Sequence, residues 1–424
     1  MFKYAHLKFS KSNKSEKVKL QVGTSIIEAS GRAGKWYTNI PTEKIKREEI
    51  SLLDNGDQRC ELVFTDEKLF HPDQVIFDKK YNIKKHSLQD ENIYYSLSGE
   101  KVRPKKILIT FPGVSNFDNI NYRLSAMTSL QSRLKDILIL AFQDREGVFG
   151  NYMFETESGY PIKSIGISLI NGLADRYGLT DSDLIFYGNS KGASIALKYI
   201  EKYKNSHFFI DIPQLDLANY EQQNDLMKFS IGPNPPLHYD FTTTLPLVKN
   251  RLLTYSFAED DFDSSRGLPM KSFPNINVVM LKDMQHSGAA MELVKRQFSK
   301  VLQLIGDEQK TLRPRISAKW KIDNNRLFFE RSLGSFEDEN DIPKIFSEIE
   351  FHNNENNFSI SLNKRFSKKV IVSWDDGFDV MKHLPVGKYE MKLHVYYNFK
   401  EFCYPLDKSI TISFENISIE DNLH

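Results

Sequence analysis

The stretch Gly188-Asn189-Ser190-Lys191-Gly192 places a serine hydroxyl between two glycines, directly after the apolar run Leu184–Tyr187 and directly before a helical run, Ala193–Tyr203. A serine on a sharp strand-to-helix turn projects its hydroxyl above the edge of a sheet, where it can act as a nucleophile. Gly188 and Gly192 are needed because the turn strains the backbone and draws strand and helix together. The first turn of the helix adds partial positive charge and unpaired N–H groups beside the hydroxyl.

A serine hydroxyl is a weak nucleophile until a base takes its proton and an acid orients that base. His286 stands in Met284-Gln285-His286-Ser287-Gly288, after the apolar run Val278–Leu281 and before an amphipathic helix predicted over Ala289–Ile305. That is a place for a base. Of the other histidines, His207 opens a strand and His238 lies in a Pro-rich loop; the remaining seven fall outside this zone. The acid is expected after the run Leu252–Phe257, where Glu259, Asp260, Asp261 and Asp263 crowd together. Distance beyond the strand end favours Asp260 or Asp261, with Asp261 first. A tetrahedral intermediate also needs two aimed N–H donors. The expected pair is the backbone N–H of Lys191 and that of Val114, in Phe111-Pro112-Gly113-Val114.

These residues need a scaffold, and the chain reads in three zones. Residues 1–101 are broken and polar with short strand-like runs such as Lys17–Val22, Cys60–Thr65 and Asn92–Leu97, and read as a β-rich N-terminal region. From 102 to 310, continuous apolar strands alternate with helices: Ile107–Phe111, Tyr122–Leu134, Ile137–Phe142, Ile162–Tyr177, Leu184–Tyr187, Phe208–Ile212 and the elements already named. That alternation is the mark of a mostly parallel sheet with helices on both faces, an α/β fold. Over 311–424, seven strand-like runs separated by turn signals such as Asp375-Asp376-Gly377 predict a small antiparallel β-sandwich.

Composition narrows the classes. Basic and acidic residues nearly balance at a net charge of +1, so nothing draws the chain to nucleic acid or an anionic membrane. Two cysteines, Cys60 and Cys403, form neither a disulfide framework nor a metal cluster. No stretch of about 18 apolar residues predicts a membrane span, and the N-terminus lacks the apolar core of a secretory signal, so a cytoplasmic location is expected. There is no phosphate-binding loop, no dinucleotide-binding turn and no metal-ligand spacing; neither metal nor cofactor is expected. Trp36, Trp320 and Trp374 could stack on sugar rings, although tryptophan in β-domains is more often core.

With these motifs in hand, residues from about Lys105 to Ile305 resemble the α/β-hydrolase superfamily: the elbow 188–192, the acidic loop 259–263 and His286 follow in the order nucleophile, acid, histidine. The run Tyr94–Gly99 leading into Ile107–Gly113, with the elbow, also resembles XcbB/CpsF-like capsular polysaccharide biosynthesis proteins and the glycan O-acetyltransferases of accessory secretion systems. The first resemblance implies a serine esterase or acyltransferase with an acyl-enzyme. The second implies an acetyl ester on a bacterial surface polysaccharide, with polysaccharide-biosynthesis or secretion proteins as partners. A reading of another class is a hydrolase-fold scaffold with a vestigial site whose β-regions bind glycan or protein, since fold does not guarantee activity. A peptidase is a third.

Overall fold

The computed structural model describes residues 4–9, 16–31, 40–41, 47–54, 60–66, 74–99, 103–113, 136–146, 150–156, 158–217, 240–304, 313–334, 346–353, 357–362, 371–373, 377–397 and 400–421. They belong to two compact units: Met1–Tyr203 with Pro213–Thr244, and Lys204–Ile212 with Leu245–His424.

The first unit is built on apolar strands. Lys106–Phe111, Ile137–Gln143 and Leu184–Asn189 are buried along almost their whole length. The strand Lys106–Phe111 pairs in parallel with the other two, Leu108 standing opposite Ile139 on one side and Ile185 on the other. Strands with no polar face need cover on both sides, which explains runs such as Ile-Leu-Ile-Thr-Phe with no alternation. Glu91–Ser98 then joins Ile137–Gln143 antiparallel, and Lys84–Leu88 joins Glu91–Ser98 antiparallel. The helix Ile162–Tyr177 covers these last two strands. It buries Ile162, Ile165, Leu169, Ile170, Leu173 and Ala174, one stripe at helical spacing. Gly178 ends it at φ 68°, where its N–H meets the carbonyls of Ala174 and Asp175. The described strands among residues 4–65 form two small antiparallel sheets. The predicted helix Tyr122–Leu134 lies outside the described residues.

In the second unit His207–Asp211, Leu253–Ala258 and Ile276–Leu281 pair in parallel. The sequence pattern predicts a separate antiparallel sandwich beyond residue 311. Instead, Asn357–Leu362 pairs in parallel with Ile276–Leu281, Val278 facing Phe358. Phe346–His352, Gly387–Tyr397, Lys400–Ile412 and Ile417–Asp421 then follow antiparallel, so these strands prolong the α/β sheet of this unit. Alternating burial specifies a strand and its faces; it does not specify the neighbour at its edge. Among the described residues beyond 311, Ile316–Asp323, Arg326–Leu333, Ile371–Ser373 and Phe378–Asp379 form a separate sheet. The sequence pattern predicts a strand only over Ser409–Phe414, because Pro405, Asp407 and Lys408 interrupt the apolar pattern of Lys400–Ile412. Cys403, on this strand, is exposed. Among the described residues no helix is long and apolar enough to cross a membrane.

Buried charge fixes the helix His286–Leu304 to the strands beneath it. Arg296 donates from Nε and Nη2 to the two oxygens of Glu348, at 2.6 and 3.1 Å. Lys300 Nζ lies 2.5 Å from Glu401 Oε2. Glu401 also meets His394 Nδ1 at 2.5 Å, and Glu350 lies 2.5 Å from His394 Nε2. Burial opposes a charged imidazole, but the two carboxylates outweigh it and raise His394 from its ordinary 6.5 to about 9. A raised folded-state value stabilises the fold fully below the unfolded value and loses that contribution as pH rises through the folded one. The melting temperature is therefore expected to fall as pH climbs through about 9, and the His394→Gln variant, melted across the same range, lacks that step.

Candidate functional site

The turn at Ser190 belongs to the first unit. Its residue adopts φ 52° and ψ −121°, a conformation that L side chains rarely take. The glycines around it are required by contact. A Cβ on Gly188 would lie 2.1 Å from the Gly192 carbonyl oxygen, and one on Gly192 would lie 2.4 Å from that of Phe111. The elbow is thus pressed against the end of the strand Lys106–Phe111, and Gly113 runs beside it, its Cβ direction 3.1 Å from Asn189 O. The helix Lys191–Leu197 starts at once, with the N–H groups of Ala193 and Ser194 donating to Ser190 O at 3.0 and 3.2 Å. The Ser190 side chain makes no capping bond to that helix. Val114 lies outside the described residues.

Lys191 carries a second feature that the sequence reading did not assign. Its ammonium and the Asp144 carboxylate are fully buried and 2.8 Å apart. Asp144 also accepts the N–H of Asn151 at 3.1 Å. Gly150, at φ 80°, roofs the pair: a Cβ there would stand 2.1 Å from Asp144 Oδ2 and 2.3 Å from Lys191 Nζ. About two turns along, Lys198 is buried and donates to the carbonyls of Tyr152 and Met153, both at 2.6 Å. Burial lowers its pKa to about 7, with Asp144 opposing the fall. Residues 150–153 are thereby tied to the elbow helix by two ammonium groups. A lysine next to Ser190, in a helix of otherwise small and apolar residues, was the available signal, since a buried ammonium needs a partner. Which carboxylate answers it depends on the sheet order that brings the end of Ile137–Gln143 alongside.

The acidic loop and His286 belong to the second unit. The register of Leu253–Ala258 with Ile276–Leu281 sets Ala258 opposite Leu281, so the segments after both strands leave the sheet side by side. The sequence pattern predicts a loop over residues 259–263. The structure forms a helix, Asp261–Gly267, whose N-cap is Asp260: its Oδ1 accepts the N–H of Asp263 at 2.8 Å. Asp261 is exposed at the first helical position. Asp263, about 200° further around the helix, is 2 % exposed. Its Oδ1 and Oδ2 lie 2.9 and 3.1 Å from His286 Nδ1. The carboxylate that meets the imidazole is therefore Asp263, in place of the expected Asp261 or Asp260. Asp260 Oδ2 accepts the backbone N–H of His286 at 2.5 Å, and Glu259 accepts that of Asp283 at 2.8 Å. An edge-on Phe262 ring flanks the imidazole at 5.6 Å between centroids, with Arg266 stacked 3.7 Å over that ring.

Chemically, the first unit offers a serine hydroxyl on a strained turn; the second offers an imidazole with one nitrogen bound by a buried carboxylate. Among the described residues no group of three His, Cys, Asp or Glu side chains could hold a metal ion. Trp320 is half-buried in the strand Ile316–Asp323, while Trp36 and Trp374 lie outside the described residues.

No protein-family model matches the chain, and no curated protein matches it in sequence. Solved structures similar to it include the capsule O-acetyltransferase of Neisseria meningitidis serogroup A, at TM-score 0.40 and 18 % identity over 52 % of this chain and 94 % of that one. A glycosylation associate protein complex (Gap123) from Streptococcus agalactiae is similar at TM-score 0.39 and 12 % identity, over 71 % of this chain and 63 % of that one. A lipase/esterase from Lactobacillus plantarum is similar at TM-score 0.35 and 12 % identity, over 53 % and 98 %.

Removing one member of a buried ion pair strands the other charge, at about 3–5 kcal/mol. Lys191→Met is accordingly expected to lower the urea midpoint strongly, and adding Asp144→Leu to restore much of the loss. Equal midpoints for the wild type and Lys191→Met would remove the pair from the elbow's support.

Proposed function

We propose that this chain is a serine esterase or O-acyltransferase of the α/β-hydrolase type. Ser190 is the nucleophile, His286 the general base and Asp263 the acid that orients it. The observation that most supports this reading is the bond between His286 Nδ1 and the buried Asp263 carboxylate. Such a bond selects the tautomer that carries its proton on Nδ1 and assigns proton transfer to Nε2. The strained Ser190 turn supplies the matching nucleophile, and the chain order of serine, acid and histidine is that of the superfamily.

In the reaction proposed, Ser190 Oγ attacks an ester carbonyl carbon while its proton passes to His286 Nε2. The carbonyl π electrons move to oxygen, and the oxyanion is held by the Lys191 N–H with a second donor from the loop after Phe111; Val114 remains the proposed donor. Collapse expels the alcohol, which takes the proton from His286, and leaves an acyl-Ser190 ester. Water or a sugar hydroxyl then gives its proton to His286 and attacks the acyl carbon; as the bond from that carbon to Ser190 Oγ breaks, His286 returns the proton to Ser190 and becomes neutral again. The buried carboxylate of Asp263 stabilises the imidazolium formed twice in this cycle. An acetyl group on a surface or capsular polysaccharide is the substrate class that the sequence resemblance implies, and glycan-biosynthesis or secretion proteins are the partners.

Native protein is expected to turn over p-nitrophenyl acetate and to be labelled by a fluorophosphonate probe, both abolished in Ser190→Ala. Labelling that persists in this variant would take Ser190 out of the mechanism; a native protein that neither labels nor turns over would favour a binding scaffold. Asp263→Asn is expected to lower kcat by about 10⁴-fold, as loss of the orienting carboxylate does in serine-protease triads. Asp261→Asn, at an exposed position, is expected to stay within about twofold of wild type.

A further inference from the structure

We infer that Asp260 is a positioning residue for this chemistry: one carboxylate that seats both the acid and the base by holding a backbone N–H of each. This deepens the serine-hydrolase reading and rests on it. Asp260 Oδ1 accepts the N–H of Asp263 at 2.8 Å, and Oδ2 accepts the N–H of His286 at 2.5 Å. The two residues whose side chains meet at 2.9 Å are thus also linked through their main chains by a single third side chain.

The arrangement is more than a helix cap. A cap needs one acceptor oxygen for one N–H of its own helix. Here the second oxygen crosses to the start of another helix, His286–Leu304. The N–H it takes belongs to the first residue of that helix, which has no partner within its own turn. Both helix ends carry partial positive charge, so a carboxylate between them is favoured over a neutral side chain. Glu259 repeats the pattern one residue earlier, accepting the N–H of Asp283, whose φ is 59°. The two acids fasten the segment between Leu281 and His286 to the segment after Ala258.

The consequence is geometric. The imidazole hangs from a backbone set by Asp260, and the carboxylate that orients it hangs from a helix started by Asp260. Displacements of about 1 Å in such a constellation can cost about a hundredfold in rate. Asp260 touches neither reacting atom nor imidazole ring among its described bonds; it acts through Asp263 and His286.

The decisive variant is Asp260→Ser. Its single hydroxyl can still cap the helix through Asp263 N–H, and it cannot serve His286 as well. Two readouts apply to the full chain. In the first, p-nitrophenyl acetate kinetics, Asp260→Ser is expected to lower kcat by about tenfold to a hundredfold with KM and melting temperature near wild type. The second is independent of turnover: a downfield imidazole N–H proton resonance, assigned by its loss in His286→Gln, is expected in the native protein and absent or broadened in Asp260→Ser. If Asp260→Ser keeps both kcat and the resonance, Asp260 is only a cap and the inference is overturned. Should Asp260→Ser not fold, Asp260→Asn, isosteric with one acceptor oxygen, is read in the same way. Absence of turnover and of Ser190 labelling in native protein would defeat the hydrolase reading, while the resonance would still decide the role of Asp260.

Discussion

At the elbow, the carbonyl of Gly192 occupies the space a side chain on residue 188 would need, and the carbonyl of Phe111 occupies that of residue 192. This double close approach forces the chain to turn within one residue, and Ser190 takes the turn at positive φ. A conformation of that kind persists only where its surroundings over-determine it. The surroundings here are the parallel strands Lys106–Phe111 and Leu184–Asn189, whose register sets Gly188 opposite Phe111. On the other side, the Lys191–Asp144 pair joins the first helical residue to the end of the strand Ile137–Gln143.

Buried charge recurs wherever a site element must be held. In the first unit two ammonium groups, Lys191 and Lys198, fasten residues 150–153 and Asp144 to the elbow helix. In the second, Arg296 and Lys300 anchor the helix that His286 opens. Ion pairs of this sort contribute less net stability than their geometry suggests, because desolvation offsets much of the attraction. Their stronger effect is on alternatives: a shifted helix would take from the buried Glu348 and Glu401 the cations that balance their charge. Precise placement follows from the penalty on every other placement.

The acidic loop shows how one composition conceals several roles. Glu259, Asp260, Asp261 and Asp263 are equivalent carboxylates in the sequence. In the fold Glu259 holds Asp283, Asp260 holds two N–H groups, Asp261 faces solvent, and Asp263 meets the imidazole. The Asp-x-x-Asp spacing is itself a helix-start pattern, and following it would have moved the expected partner of His286 from residue 261 to 263 by helical phase. Counting distance from the strand end missed this because it treated the segment as extended loop.

What the sequence determined by itself is local. Apolar runs without alternation specify buried strands, the stripe Ile162–Ala174 specifies a covering helix, and Gly-x-Ser-x-Gly between strand and helix specifies a strained serine turn, all through interactions spanning a few residues. The position of His286, between an apolar strand and an amphipathic helix, was legible for the same reason. Tertiary structure alone decided which buried acid answers Lys191, and that Asn357–Leu362 prolongs the sheet beside Ile276–Leu281. Each of those depends on which distant strand lies alongside, a choice set by packing and register across the whole sheet, on which the pattern within any one segment carries no information.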